Sequence, residues 1–177
     1  MSIVMGCDIG SLTSKAVVLN SCRILGTALI QSKARPEASA EAVIKEVLNK
    51  AKLERKDIDF CVGTGYGRKK VPVVAKTVSE IVCHGKGARW MLPSARTIID
   101  IGGQDCKAIR LDEEGNVAKF IANDKCASGT GRFLEVMADL LHVSVAELGE
   151  LSAQATKSFT MSSTCTLWGQ AEVVKRL

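Results

Sequence analysis

Aromatic residues are scarce in this chain, with four Phe, two Trp and one Tyr among 177 residues. Proteins that stack successive bases need aromatic platforms, so a single-strand nucleic-acid binder is a poor match. The net charge of +5 is spread along the chain, and its only dense stretch is Arg68-Lys69-Lys70. A short basic run of that kind is ordinarily a solvated loop, so neither charge nor composition calls for a nucleic-acid partner. No apolar run approaches the roughly 18 residues that a membrane helix needs. The stretch up to Gly10 carries no basic segment and turns polar at once, which reads as a strand rather than a signal peptide. The expectation is a chain in the cytoplasm with no membrane partner.

Several motifs are also missing. No glycine-rich loop ends in Gly-Lys-Ser/Thr, and no G-x-G-x-x-G opens a helix, so the P-loop and dinucleotide classes fall behind. No C-x-x-C pair occurs among the seven cysteines. An odd number of cysteines without a secretory signal points to a reducing compartment, where thiols act as small core residues, metal ligands or redox groups.

Apolar residues make up 46% of the chain, enough for a real core in one domain or two small ones. The pattern predicts strands over 3–9, 15–19 and 23–31, a meander. A helix after Pro36 follows, with Ala40, Val43, Ile44, Val47, Leu48 and Ala51 on one face, then a strand over 59–62. Gly63-Thr-Gly-Tyr-Gly-Arg68 reads as a loop and 79–90 as a helix. A second meander is expected from strands at 97–101, 107–111 and 117–122, with a turn at 112–116. Beyond it lie a helix carrying Phe133, Leu134, Met137, Leu140 and Leu141, one opened by a Ser144/Glu147 capping box, and one over 168–177. The last lacks a glycine or asparagine cap, so the second domain reads as C-terminally truncated. The expected division is 1–95 and 96–177. His84 and His142 fall in apolar helices and read as core or surface residues.

An internal repeat organises these pieces. Asp8-Ile-Gly10, Lys15-Ala16 and Leu19 recur at identical offsets as Asp100-Ile-Gly102, Lys107-Ala108 and Leu111. In each copy an apolar strand delivers an aspartate to a glycine turn, and a strand that carries a lysine leaves it. Glycine lets backbone N–H groups approach phosphate oxygens, and a carboxylate can hold magnesium through water. Two such loops facing each other would make a clamp for a nucleoside triphosphate. This predicts an α/β protein of the actin-like ATPase class, in the ribonuclease H-like superfamily of Hsp70, actin and sugar kinases. It would bind ATP or ADP with Mg2+. Asp8 and Asp100 are the candidate magnesium or water ligands. Gly10, Ser11, Thr13, Lys15, Gly102, Gly103 and Gln104 are the candidate phosphate contacts, with Gln104 also placed to orient the attacking water.

Cys7, Cys22, Cys61 and Cys83 are expected in apolar strands or a helix as small hydrophobes, and Cys106 edges the second loop. Cys126 and Cys165 differ, because each sits in a turn rich in small polar residues just before a helix, where backbone N–H groups favour a thiolate. A four-iron cluster takes four thiolates, and two per chain suffice in a symmetric dimer. A zinc bridge, or two unrelated structural thiols, fits the same spacing.

These residues carry a resemblance. Asp8-Ile-Gly-Ser-Leu-Thr-Ser-Lys15, Thr64-Gly-Tyr-Gly-Arg68, Ser79-Glu-Ile-Val-Cys-His-Gly-Lys-Gly-Ala88, Thr97-Ile-Ile-Asp-Ile-Gly-Gly-Gln-Asp105, residues 123–137 and Ser162-Ser-Thr-Cys-Thr166 are similar to the activator component of 2-hydroxyacyl-CoA dehydratases. That family also holds the ATPase subunits of benzoyl-CoA reductase. The resemblance implies a homodimer with one 4Fe-4S cluster bridged by Cys126 and Cys165 of each chain. It implies ATP-driven delivery of one electron to an iron–sulfur acyl-CoA dehydratase or reductase. The family's glycine-rich adenosine motif has no counterpart here, and Trp168-Gly-Gln-Ala171 departs from the family's aromatic-alanine-glutamate-serine run. The alternatives are a sugar or small-acid kinase of the same superfamily and a non-catalytic nucleotide-binding module.

Overall fold

The computed structural model describes residues 2–177. The chain forms two compact units. The first runs to Ala95 and takes in Asp112–Val117, and the second comprises Arg96–Leu111 and Ala118–Leu177.

In the first unit β1 (Ile3–Ile9), β2 (Thr13–Asn20) and β3 (Arg23–Gln31) make an antiparallel meander. β4 (Phe60–Thr64) adds to β1 in parallel and the two-residue β5 (Lys76–Thr77) extends the sheet, giving the order β3-β2-β1-β4-β5. Alternate residues of the strands point to opposite faces. Met5, Cys7 and Ile9 of β1 and Ala16 and Val18 of β2 are therefore buried together with Ala40, Val43, Ile44, Val47 and Leu48 of α1 (Pro36–Ala51). Pro36 opens that helix where its missing N–H costs nothing, and Lys52 ends it in the left-handed region with φ 57°. The crossover through α1 makes β1 and β4 parallel, which brings their C-terminal ends together. α2 (Glu80–Met91) follows, capped by the Ser79 hydroxyl, which accepts the Ile81 N–H.

In the second unit β6 (Thr97–Ile101), β7 (Cys106–Leu111) and β8 (Val117–Asn123) lie in sequential order, followed by α3 (Gly131–Leu140), α4 (Glu147–Gln154) and α5 (Thr166–Val174). Ile109 and Leu111 are buried from β7, and Ala127, Phe133 and Met137 gather Leu134, Leu140, Met161 and Val173 around them. α5 approaches α3 closely because Gly169 lacks a side chain. A Cβ there would stand 3.1 Å from the Phe133 ring.

Four expectations are corrected. His142 lies exposed in a turn at φ 56° rather than in an apolar helix, because α3 closes at Leu140. Cys22 lies exposed in the turn between β2 and β3 rather than in an apolar strand, because the polar turn begun at Asn20-Ser21 extends through it, with Ser21 at φ 53°. α5 begins at Thr166, two residues ahead of Trp168, and closes at Val174 in a turn where the Arg176 and Leu177 N–H groups return to the Val173 carbonyl. The Ser144/Glu147 box forms, with the Ser144 N–H and hydroxyl both donating to Glu147, but it closes a turn that precedes the regular part of α4.

Candidate functional site

The repeated offsets have a structural meaning. Asp8 faces Lys15 across the β1–β2 pair, and Asp100 faces Lys107 across β6–β7. Each pair is joined by the same turn: the Gly10 N–H donates to the Thr13 carbonyl at 3.1 Å, and the Gly102 N–H to the Asp105 carbonyl at 2.8 Å. A Cβ on Gly10 would lie 2.7 Å from the Thr13 carbonyl oxygen, and one on Gly102 would lie 2.5 Å from the Asp105 carboxylate. The glycine in each copy is thus required by turn closure. Ser11 and Gln104 sit exposed at the two hairpin tips, and Gly103 is half-buried beside Gln104. Thr13 begins β2.

The two copies differ in charge pairing. Lys15 Nζ lies 3.1 Å from Asp8 in a half-exposed pair. Lys107 is buried and reaches Asp105 at 2.7 Å, closer than its distance of 3.7 Å to Asp100. Asp105 takes the position that Thr13 holds in the first copy, and sequence reading did not single it out. Its signal was the carboxylate itself, two residues before a strand lysine.

Over the first loop, Gly65 at φ +80° folds back so closely that a Cβ would collide with the Asp8 carboxylate and stand 2.6 Å from the Ile9 carbonyl. The Gly67 N–H also donates to the Ile9 carbonyl, at 2.9 Å. Gly65→Ala is expected to destabilise the first unit by about 1–3 kcal/mol and to displace Asp8, since both the backbone region and the close approach exclude a side chain. Thermal melting checks the first effect and nucleotide binding the second. Arg68 Nη1 donates to the Gly65 carbonyl at 2.9 Å, so that arginine braces its own loop.

The second loop is tied to the cysteines. The Gly131 N–H at the start of α3 donates to the Gly102 carbonyl at 2.9 Å, and the Arg132 N–H to the Gly103 carbonyl at 3.1 Å. Thr130, fully buried, caps α3: its hydroxyl accepts from the Phe133 N–H and donates to the Cys126 carbonyl at 2.7 Å. Ser128 Oγ donates to the Ser163 carbonyl at 2.9 Å, joining the Cys126 turn to the Cys165 turn. Cys165 itself occupies the N-cap position of α5. The thiols of Cys126 and Cys165 are free and half-buried. Thr130 escaped sequence reading, although a threonine before Gly-Arg and an apolar run is a helix-start signal.

Three of the other thiols, Cys7, Cys61 and Cys106, are poor ligands. Burial, then Cys61 and Asp8, push Cys7 up to about 12, and burial pushes Cys61 to about 11. Burial, then the carboxylates of Asp105 and Asp100, raises Cys106, which sits near the Ser128 and Gly129 carbonyls. These stay protonated at neutral pH. Among the described residues, no group of three or more His, Cys, Asp or Glu side chains converges as a metal site, and no helix is long and apolar enough to cross a membrane.

A meander followed by a parallel strand across a helix, with an aspartate at a glycine hairpin and the same hairpin repeated in a second unit, defines the actin-like ATPase and sugar-kinase fold. A hexokinase of the ROK class from Thermus thermophilus shares it at 13% identity, with a TM-score of 0.52 over 87% of this chain and 70% of that one. Within that class, the chain belongs to the BadF/BadG/BcrA/BcrD ATPase family, matched over residues 5–177. It is 44% identical over 173 residues to the activator of lactoyl-CoA dehydratase of Anaerotignum propionicum, covering 98% of this chain and 67% of that protein. Component A of the (R)-2-hydroxyglutaryl-CoA dehydratase of Acidaminococcus fermentans superposes with a TM-score of 0.87 at 40% identity, over 99% of this chain and 68% of that one. The activator of 2-hydroxyisocaproyl-CoA dehydratase from Clostridium difficile, solved with ADPNP bound, gives 0.85 at 42%, over 98% and 65%. The chain thus spans about two thirds of the length of these relatives.

Proposed function

We propose that this protein is an ATP-dependent one-electron donor in the cytoplasm. It would activate an iron–sulfur 2-hydroxyacyl-CoA dehydratase or a partner of the benzoyl-CoA reductase type. It would work as a homodimer holding one 4Fe-4S cluster between protomers. The observation that carries the reading is the direct hydrogen-bonded link from the second hairpin, Gly102-Gly103, to the start of α3 and through Thr130 to Cys126.

The two subdomains, 1–95 and 96–177, each contribute a phosphate loop. Asp8 and Asp100 would hold water or the Mg2+ that accompanies ATP, while Gly10, Ser11, Thr13, Lys15, Gly102, Gly103 and Gln104 would contact phosphate oxygens. The Gly10 and Gly102 N–H groups close their own turns, so the phosphate contacts there would come from the other backbone N–H groups of each turn, and Lys15 is a half-exposed cation beside Asp8. Gln104, exposed at its hairpin tip, orients water.

For the cluster, the donor set fits. Cys165 stands at a helix N-terminus, whose partial positive charge suits an anionic cluster. Beside it the Thr166 hydroxyl oxygen is buried without a partner, a donor suited to a sulfur acceptor. When bound, the cluster would supply one-electron chemistry at low potential. The chain's own part is to change how that site is held as the nucleotide changes, because a ligand shifts a conformation only through differential contacts with its states. The Gly102–Gly131 and Gly103–Arg132 bonds tie the second hairpin to the base of α3 and would pass a nucleotide-dependent change in the hairpin on to it.

Gln104→Ala is expected to lower ATP-dependent electron delivery to a partner or dye by about 10- to 100-fold while iron content is unchanged. An unchanged delivery rate would sink the coupling role of this loop.

A further inference from the structure

The geometry points to Thr64 as a further ligand of the nucleotide site, one whose hydroxyl holds a water in the hydration shell of the divalent cation at Asp8. This rests on the reading of the first hairpin as a phosphate and magnesium loop.

Three strands place the group. Asp8 of β1 is registered with Lys15 on one side and with Thr64 of β4 on the other. Directly paired residues on neighbouring strands present side chains to the same face, so Lys15, Asp8 and Thr64 form one row at the ends of β1 and β4. All three line one cavity of about 790 Å³, together with Gly6, Cys83 and His84. Lys15 and Asp8 satisfy each other at 3.1 Å. Thr64 is only 8% exposed, and its Oγ1 has no hydrogen-bond partner.

A buried hydroxyl without a partner costs about 1–3 kcal/mol, and such groups call for an explanation in a bound water or ion. The chemistry of the row selects the occupant. Magnesium dehydrates reluctantly and keeps several waters, binding through one carboxylate and substrate phosphates. Each of those waters donates two hydrogen bonds. Asp8 accepts from the shell, and Thr64 Oγ1 accepts a second bond from one of its waters. Gly65, folded against the Asp8 carboxylate, keeps the end of β4 against Asp8, with which Thr64 is registered. The Thr64 hydroxyl therefore orients the hydrated cation rather than replacing a water on it.

The test measures Mn2+ binding by electron paramagnetic resonance of the free ion, at saturating ATP, in the wild-type chain, Thr64→Val and Thr64→Ser. Valine keeps the shape and removes the hydroxyl. Its ligand-free melting temperature is expected to be equal or higher, since an unpaired polar group is lost. Its Mn2+ affinity in the presence of ATP is expected to fall about tenfold, the effect of one hydrogen bond to a charged centre. Metal-free ATP binding in EDTA should be unchanged, and Thr64→Ser should retain wild-type Mn2+ affinity. Thr64→Val with wild-type Mn2+ affinity overturns the assignment. Equal weakening with and without metal also overturns it, because the hydroxyl would then be a phosphate contact. If the wild-type chain itself binds no Mn2+ with ATP, the reading of the Asp8 loop fails and takes this assignment with it.

Discussion

Replacing Cys126 by serine is expected to strip the protein of iron, from about four per dimer to nearly none, while leaving the fold in place. Four thiolates complete such a cluster. In the proposed homodimer a twofold axis would double every substitution, so one mutation would remove two of the four ligands. The fold should survive because the Cys126 backbone, not its thiol, carries the structural bond: Thr130 Oγ1 holds the Cys126 carbonyl and also caps α3. The thiol is free and half-buried. Thermal melting of the apoprotein should therefore move by no more than ~1 kcal/mol, the range for a polar exchange outside the core. Iron assay after anaerobic purification reads the main effect. A Cys126→Ser protein with its full complement of iron contradicts the ligand assignment.

Lys107→Met should have the largest effect on stability. Lys107 is 7% exposed and lies between Asp105 and Asp100, at 2.7 and 3.7 Å. Removing one partner of a buried ion pair leaves its counter-charges uncompensated, at a cost of about 3–5 kcal/mol. In a domain of this size that corresponds to a melting temperature lower by on the order of 10 °C or more. The matching Lys15→Met substitution breaks a pair whose lysine side chain is 43% exposed, and water screens such pairs to roughly 0–1 kcal/mol. The same motif position therefore differs in its structural part: Lys107 holds its hairpin together, and the half-exposed Lys15 adds little to stability. Melting curves for the two variants check this directly. Equal losses would show that the second lysine is not the buried anchor.

This asymmetry marks the limit of what the sequence made legible. The repeat of Asp8, Gly10 and Lys15 at Asp100, Gly102 and Lys107 was visible because strand pairing across a short turn fixes which residues face each other. The meanders and α1 followed from period-2 and helical spacing. Which carboxylate Lys107 takes depends on side-chain packing around Asp105, and no periodicity reports it. A link between this loop and the Cys126 turn is expected from the strands between them, but the bonds from Gly131 and Arg132 to Gly102 and Gly103 join residues far apart in sequence and emerged only from the fold. β5, two residues long, is too short to leave a pattern. Cys22 was misplaced because one polar turn residue more or less is a local choice that hydrophobic alternation does not constrain. Thr64 lay in a glycine-rich motif whose glycines drew the attention, while its own importance comes from being buried without a partner.

The central claim is that nucleotide contacts on the hairpins reach a cluster held by Cys126 and Cys165. The most direct measurement is the electron paramagnetic resonance spectrum of the anaerobically purified, dithionite-reduced protein, recorded without nucleotide, with Mg2+ and ADP, and with Mg2+ and a non-hydrolysable ATP analogue. The account predicts a reduced-cluster signal at about four irons per dimer, with a line shape that differs between the ADP and ATP-analogue states. A colourless protein without iron, or a cluster signal identical in all three states when nucleotide binding has been verified, would contradict it.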